Sequence, residues 1–438
     1  MKKIVVGGAG HGGLVAAAYL AQKGYDVMVF EKKPREKLGH DWHDTMNNRT
    51  FEYAGITEYD PNSYHMRKEA TFFAPSLRTS ISYDMPPDQQ ELEIERKVLY
   101  KYLIDNALNK GAKIVFQKSV SAPLIKDGVV AGLVVDGEEI TADFVIDSAG
   151  MYSPVIRGLP ESYNMAPDYG DNDVFHTFRA YFELVEGAPI TNPERFNTYF
   201  KFAGLKGIAW FKLTDGMADV LIGSVEPLDM AKVNEAVELL RKAQPSISTK
   251  ILRGGQIVDI PLKSTFLQLV GKNFGGVGDA VSMPIPLNGS GITNSIFAGK
   301  ILAETIIDID ERGEEYSTEN LWTYQVQYFQ AVGARMASIS AIKNCLLSYA
   351  PSAIDFLFDK QILTADELAA GANGQEIEMS KAVLFGKIKR GITKLNALLK
   401  LKGAVQRSKD AKSCAQEIPA VYDERQVAEW QNKMRKYI

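Results

Sequence analysis

The strongest constraint on this chain is a glycine-rich turn set between a strand and a helix near its start. Lys2 to Val6 is a short β-branched run suited to a buried parallel strand. Gly8-Ala9-Gly10-His11-Gly12-Gly13 follows and matches G-x-G-x-x-G, and Leu14 to Lys23 then reads as an Ala-rich helix closed by Gly24. A second strand, Asp26 to Phe30, ends in the acidic Glu31. Each part has a physical task. Gly8 permits the tight turn, Gly10 lets the backbone approach a pyrophosphate, and Gly13 lets helix and strand close together. The helix N-terminus offers unpaired N–H groups to the anion. Glu31 stands 18 residues beyond Gly13, where a carboxylate accepts hydrogen bonds from an adenosine ribose. The unit predicts a Rossmann-like dinucleotide-binding domain and by itself leaves NAD and FAD both open.

Composition narrows the class. With 438 residues, 45% hydrophobic and 24% charged, the chain is long enough for two or three domains with their own cores, and it is not a disordered or fibrous sequence. A net charge of −4 argues against a nucleic-acid partner. Cys345 and Cys414 are the only cysteines, which excludes a disulfide framework or a Cys-rich metal site and fits a reducing cytoplasm. Met1-Lys2-Lys3 imitates a signal peptide, but the glycine cluster breaks the apolar run at once, and no stretch of about 18 apolar residues follows. A cytoplasmic protein is expected, with membrane association left open.

Two later segments speak to the cofactor. Thr141-Ala-Asp-Phe-Val-Ile-Asp147-Ser148-Ala149-Gly150-Met-Tyr-Ser-Pro-Val-Ile-Arg157 resembles the second signature of the FAD-dependent hydroxylase and geranylgeranyl reductase superfamily. Phe274-Gly-Gly-Val277-Gly278-Asp279-Ala280, then Pro284-Ile-Pro286-Leu-Asn-Gly289-Ser-Gly291-Ile292-Thr-Asn294, resembles the third. The resemblance spans roughly residues 1–305, and three signatures in that order imply FAD. It implies that Asp279, in the Gly278-Asp279 pair that ends a strand, holds the ribityl chain, that Gly291 and Ile292, in the turn and helix start that follow, lie against the flavin ring, and that a helix N-terminus there stabilises negative charge on it. It further implies that Arg96, at the join of a strand and helix within Gln90 to Lys110, lies close to the cofactor. Within the superfamily, Ser148-Ala149-Gly150 resembles the reductase form more than the hydroxylase form. Gly207-Ile-Ala-Trp210-Phe211-Lys212 with Gly216 to Gly223 is similar to the reductases' Trp-Phe-Pro-Lys hairpin, without the proline and one residue shorter. A hairpin that buries Trp210 in a core is the other reading of those residues.

The remaining patterns set the organisation. Lys113 to Phe116 and Val129 to Val135 are strand-like, with hairpin turns at Asp127-Gly128 and Asp136-Gly137. Alternation in Thr177 to Leu184 and Val220 to Gly223 predicts an antiparallel sheet over about 166–262, interrupted by a helix at Val233 to Ala243. The expected fold is α/β: a discontinuous FAD-binding domain over 1–165 and 263–310, with residues about 65–90 lent to an antiparallel substrate sheet at 166–262, and a helical region over 311–438. Residues 381–412 carry ten Lys/Arg against Asp410, and Phe385, Ile388, Ile392, Leu395 and Leu399 recur at steps of three and four. Such a basic amphipathic segment either lies on an anionic membrane or packs on its own domain with a solvated face.

The chemistry expected is reduction of carbon–carbon double bonds in a prenyl or other hydrophobic lipid substrate, with NAD(P)H or another electron donor, because no second nucleotide fold is visible. Flavin monooxygenase chemistry and a non-catalytic FAD- or lipid-binding role are the alternatives. His40-Asp41-Trp42-His43-Asp44 occupies the loop where several geranylgeranyl reductases carry a cysteine, so a cysteine-dependent step is not expected here. His43 and Asp44 are the candidate proton donors, and no metal is expected in so crowded a set. His11, inside the phosphate turn, reads as incidental.

Overall fold

A computed structural model describes residues 1–375, 386–387, 390 and 392–438. Its first layer is a parallel sheet in the order β19-β12-β1-β2-β8, edged by antiparallel β18. The strands are β1 (Lys3–Gly7), β2 (Asp26–Glu31), β8 (Lys113–Phe116), β12 (Phe144–Asp147), β18 (Val270–Gly271) and β19 (Phe274–Gly276). Ile4, Val5, Val6, Val145 and Ile146 are fully buried, as continuous β-branched runs demand when helices cover both faces of a sheet. Helix α1 (His11–Gln22) starts three residues earlier than its apolar pattern suggests, because the glycines of the turn already have helical backbone. With it pack α3 (Arg96–Asn109) and α6 (Ile292–Glu311), while the short α2 (Thr50–Ala54) lies beside α6. A three-stranded meander of β9 (Val120–Lys126), β10 (Val129–Val135) and β11 (Glu138–Thr141) adjoins, and its two Asp-Gly turns hold both residues at positive φ as a type I′ hairpin requires. Short α4 (Pro154–Arg157) follows β12.

The second layer is a seven-stranded sheet in the order β17-β13-β16-β15-β14-β5-β6. It is built from β13 (Val174–Leu184), β14 (Phe196–Phe200), β15 (Ile208–Thr214), β16 (Met217–Ser224) and β17 (Ile247–Pro261), joined by β5 (Glu69–Phe73) and β6 (Ser80–Asp84) from the first third of the chain. Pairing is antiparallel except at β14 and β5. One face is covered by α5 (Met230–Ala243), on which Phe178, Ala180 and Phe182 of β13 form a core with Val233, Val237 and Leu240. The strand period of two therefore turns Thr177, Arg179 and Tyr181 to the other face. That face looks onto the third sheet and the helices.

Two expectations change here. His43 and Asp44 are not in a loop: they open β3 (His43–Asn47), which pairs with β7 (Glu91–Glu95), itself flanked by β4 (Tyr64–Arg67). Of the stretch about 65–90, β5 and β6 join the seven-stranded sheet, whereas β4 stays in this separate three-stranded one.

After α6 the chain is helical: α7 (Thr318–Tyr328), a π-turn at Phe329–Gly333, α8 (Ala334–Leu347), α9 (Pro351–Asp359), α10 (Ala365–Ala372), α11 (Leu395–Gln416) and α12 (Glu424–Met434). Helices α8 and α11 pack side by side, sharing a Ser338–Ser408 hydroxyl pair. Of the basic segment 381–412, residues 381–385, 388, 389 and 391 lie outside the described residues, and with them Phe385 and Ile388. Leu395 and Leu399 do not pack inward but stand exposed on α11.

Candidate functional site

The sheet's order reverses at β1: β2 leaves to one side and β12 lies on the other, with Gly7 opposite Asp147. Such a switch point opens a crevice at the carboxyl ends of the strands. The glycine turn lies there. Gly8 has φ +82°, and a side chain on it would stand 2.6 Å from the Ala149 Cα. On Gly10 one would stand 2.7 Å from the Ser148 carbonyl oxygen, and on Gly13 2.6 Å from the Ser148 Cβ. The first and second signatures are thus in direct contact across the crevice. Gly10 caps α1 with no side-chain acceptor, so the helix start presents backbone N–H groups, although those of Gly12 and Gly13 also reach the Ser295 and Ser148 hydroxyls. Glu31 is buried at the end of β2, and its carboxylate accepts from the N–H groups of Ala9 and Lys33, both at 2.9 Å. Gly150, at φ +88°, turns the chain out of β12 towards α4.

The third signature closes the crevice from the other side. Gly278 (φ +68°) and Asp279 form a tight turn after β19, and Gly291 precedes Ile292, the first residue of α6, again with no side-chain cap. Among the described residues the Asp279 carboxyl has no hydrogen-bond donor, and burial pushes it up to about 6 although Arg96 draws it down. An acceptor at the crevice with no donor suits the hydroxyls of a sugar alcohol. The glycine-lined crevice, the acid on the ribose side, two uncapped helix starts and this carboxyl fit the parts of FAD. His11, read from the sequence as incidental, lies in the same crevice. Its ring packs on Tyr100 at 4.6 Å between centroids, its Nε2 is buried without a protein partner, and burial lowers it to about 3, so the imidazole is neutral.

Arg96 begins α3 and forks onto Asp44, with Nη2 at 2.9 Å from Oδ1 and Nε on Oδ2. Burial alone would raise the Asp44 carboxyl, but the guanidinium overrides it and holds the group below its usual range. Asp44 is therefore an ionised clamp on Arg96. His43, next along β3, points elsewhere. Its Nε2 is 3.2 Å from Asp215 at the tip of the β15–β16 hairpin, and its Nδ1 lies 3.4 Å from the Tyr181 hydroxyl and 3.5 Å from Glu95. Burial lowers its pKa against the pull of Glu95, so the ring is neutral near pH 7.

The structure adds residues with no motif of their own. Arg179 is sandwiched between Trp42 and Trp210, its guanidinium carbon 5.5 and 5.1 Å from the ring centres, and it forks onto the fully buried Asp219 at 2.9 and 2.6 Å. Lys212 bridges Asp219 and Glu93. The signal that could have found Arg179 is its parity: a cation on the inward face of a strand whose other face is all core. Trp210 is not in a closed core; it faces a chamber.

That chamber lies between the seven-stranded sheet, the turn 287–292 and the helical region. Its floor is polar, with Arg96, Asp44, Arg179 and Lys212, and it meets Asn288 to Ile292 of the third signature. Its walls are apolar, from Phe175, Phe196 and Phe200 of the sheet to Leu346, Leu363 and Leu401 of the helices. Lys343 closes one margin: it is 2% exposed and donates to the carbonyls of Asn172 and Leu262 and to Asp173, fastening α8 to the sheet.

Comparison with known proteins agrees with this geometry. Residues 5–69 match the model of the NAD(P)-binding Rossmann-like domain family. The chain is 21% identical to the digeranylgeranylglycerophospholipid reductase of Sulfolobus acidocaldarius, over 93% of this chain and 91% of that one. It is 28% identical to a second such reductase, from Methanopyrus kandleri, over 75% and 83%. Its fold matches the crystal structure of a geranylgeranyl bacteriochlorophyll reductase-like protein from Thermoplasma acidophilum with a TM-score of 0.74, at 19% identity, covering 92% of this chain and 99% of that one.

Proposed function

We propose that this chain, similar over most of its length to digeranylgeranylglycerophospholipid reductases, is an FAD-dependent oxidoreductase that saturates carbon–carbon double bonds of a prenyl lipid held in the chamber. The observation that carries the proposal is the junction of the apolar chamber with the Asn288–Ile292 turn, where an alkene can lie beside the flavin-binding segment while its chain stays out of water. Bound FAD, once reduced by NAD(P)H or another donor, supplies a hydride to the double bond.

The residues of the chain do the rest. The start of α1, with Gly8, Gly10 and Gly13, would hold the pyrophosphate, Glu31 the ribose, and Asp279, presented by the turn at Gly278, the ribityl hydroxyls, with Gly291 and Ile292 against the ring. Gly150 shapes the turn that carries Ser148 and Ala149 against Gly8. Asp44 keeps Arg96 aimed into the crevice. Of the two candidate proton donors, Asp44 is committed to Arg96, which leaves His43: it lines the chamber, and it would give a proton only in its charged form, which Glu95 and Asp215 favour against burial. Trp42 and Trp210, which sandwich Arg179 of the polar floor, exclude water from it. In this reading residues 1–165 and 263–310 serve the cofactor, 166–262 the substrate, and 311–438 close the chamber.

The test is anaerobic. The FAD-loaded protein is reduced with dithionite and mixed with geranylgeranyl lipids, and flavin absorbance and product mass are followed. Reoxidation with a gain of two hydrogens per double bond is expected. No reoxidation without air, but fast reoxidation and hydroxylated product with it, would replace the proposal with monooxygenase chemistry.

A further inference from the structure

Helix α11 has two unlike faces. Leu398, Leu401 and Ala404 turn inward, and Leu401 with Val405 forms part of the chamber wall. On the opposite side Leu395 and Leu399 are 48% and 55% exposed, and Lys402, Gln406 and Lys409 continue the same outward stripe at steps of three and four. Flanking them, Lys394 and Lys400 reach the carbonyls of Ser352 and Ser348, both at 3.1 Å, which lays their aliphatic stems along the surface. From Arg390 to Lys409 the sequence holds six Lys/Arg and no carboxylate. A helix packed on its own domain explains the inner face. It does not explain two leucines one turn apart on the outer face of a cationic helix. An anionic bilayer satisfies both, taking the leucines into the headgroup boundary and the cations to its phosphates. Among the described residues no helix is long and apolar enough to cross a membrane, so contact of this kind is confined to one face.

We propose that the outward stripe of α11, centred on Leu395, Leu399 and Lys402, docks on an anionic lipid bilayer. Docking holds the chamber, walled by the inner face of the same helix, within one helix diameter of the bilayer, about 10 Å, which shortens the path of a lipid substrate through water. The inference rests on the prenyl-lipid reading above for its purpose, but its test does not use the substrate.

The full FAD-loaded chain is sedimented with vesicles of phosphatidylcholine alone and of phosphatidylcholine with an equal part of phosphatidylglycerol. Binding to the mixed vesicles, weakened by salt, with little binding to phosphatidylcholine alone, is expected. The pair Leu395→Glu/Leu399→Glu lowers partitioning at least tenfold, and Lys402→Ala lowers it about fivefold, the effect of one basic residue at a charged surface. Both positions of the pair are exposed, so FAD content and reduction of a short prenyl substrate in detergent stay at the parent level. The milder pair Leu395→Ser/Leu399→Ser repeats the measurement if the glutamates disturb folding. A parent protein that ignores anionic vesicles, or a pair variant that binds them as the parent does, overturns the proposal. So does a parent dimer that the pair variant splits, since a second copy then covers the stripe. Vesicle binding in a protein that reduces no prenyl substrate upholds docking and removes only the substrate reading.

Discussion

Gly299→Ala tests the architecture of the cofactor crevice through one methyl group. Helices α1 and α6 cross where Gly12 faces Gly299, and a Cβ on Gly299 would stand 2.7 Å from the Gly12 carbonyl carbon and 2.9 Å from its Cα, with the carbonyl oxygen nearer still. Ordinary carbon contacts are about 3.5–4.0 Å, so α6 must retreat from α1 by about 1 Å. The obstacle is backbone and cannot rotate away. Overpacking of this kind costs about 1–3 kcal/mol, at the upper end here. Alanine recovers about 1 kcal/mol of that through its helix propensity, leaving a net loss of about 2 kcal/mol. At roughly 2 °C per kcal/mol for a large chain, the apoprotein Tm falls by about 4 °C. The larger effect is on the cofactor. The retreat separates Gly10–Gly13 at the start of α1 from Gly291–Ile292 at the start of α6, the two helix starts that the proposed site sets against FAD. A loss of at least tenfold in FAD affinity, worth about 1.4 kcal/mol, is expected. Fluorescence titration of the apoprotein with FAD and a thermal melt measure the two terms. Gly403→Ala is the control: it lies inside α11 with nothing within 4 Å of its Cβ, and it should raise stability by about 0.5–1 kcal/mol. A Gly299→Ala protein with parental Tm and FAD affinity refutes the idea that these two helices clamp the cofactor.

Other outcomes follow from the same geometry. Asp279 is held at about 6, above the unfolded value of roughly 3.9, so the folded apoprotein favours its protonated form and gains stability as pH falls from 7 towards 5. Asp279→Asn removes that gain and weakens FAD binding. His11 and His40, both lowered to about 3 by burial, act in the opposite sense below pH 6.5, so the readout is the difference between parent and variant melts over this range. Arg179→Leu leaves Asp219 buried with Lys212 alone and should cost about 3–5 kcal/mol in urea unfolding, of which adding Asp219→Asn restores a large part. If the double variant is no better than the single, the ion pair is not the cause. Ile342→Trp places a larger ring in the chamber. It should raise KM for a long prenyl lipid about tenfold with FAD content unchanged, and equal KM values would show that the chamber is not where the chain lies.

The nucleotide half of the molecule was legible because its signals are local. A positive φ at Gly8, an Asp-Gly turn or a β-branched run acts within a few residues, so strand boundaries at Lys113–Phe116 and Val129–Val135 coincide with the pattern. His43 and Asp44 were misread for the converse reason. Their strand β3 exists only because β7, nearly fifty residues later, supplies the ladder partner. Ladder hydrogen bonds between distant segments leave no periodic trace in either one.

By itself, then, the sequence determined the crevice at β1 and the order of the signatures around it, because glycine conformation, turn chemistry and strand periodicity are decided by near neighbours. Only the tertiary structure decided that Asp44 is clamped by Arg96, that Arg179 lies between two tryptophans, and that α11 turns two leucines away from the protein it walls. Those facts depend on which residues far apart in the chain share a space. The chamber is the clearest case: it is made of what several distant elements leave unfilled, and no single one of them encodes an empty volume.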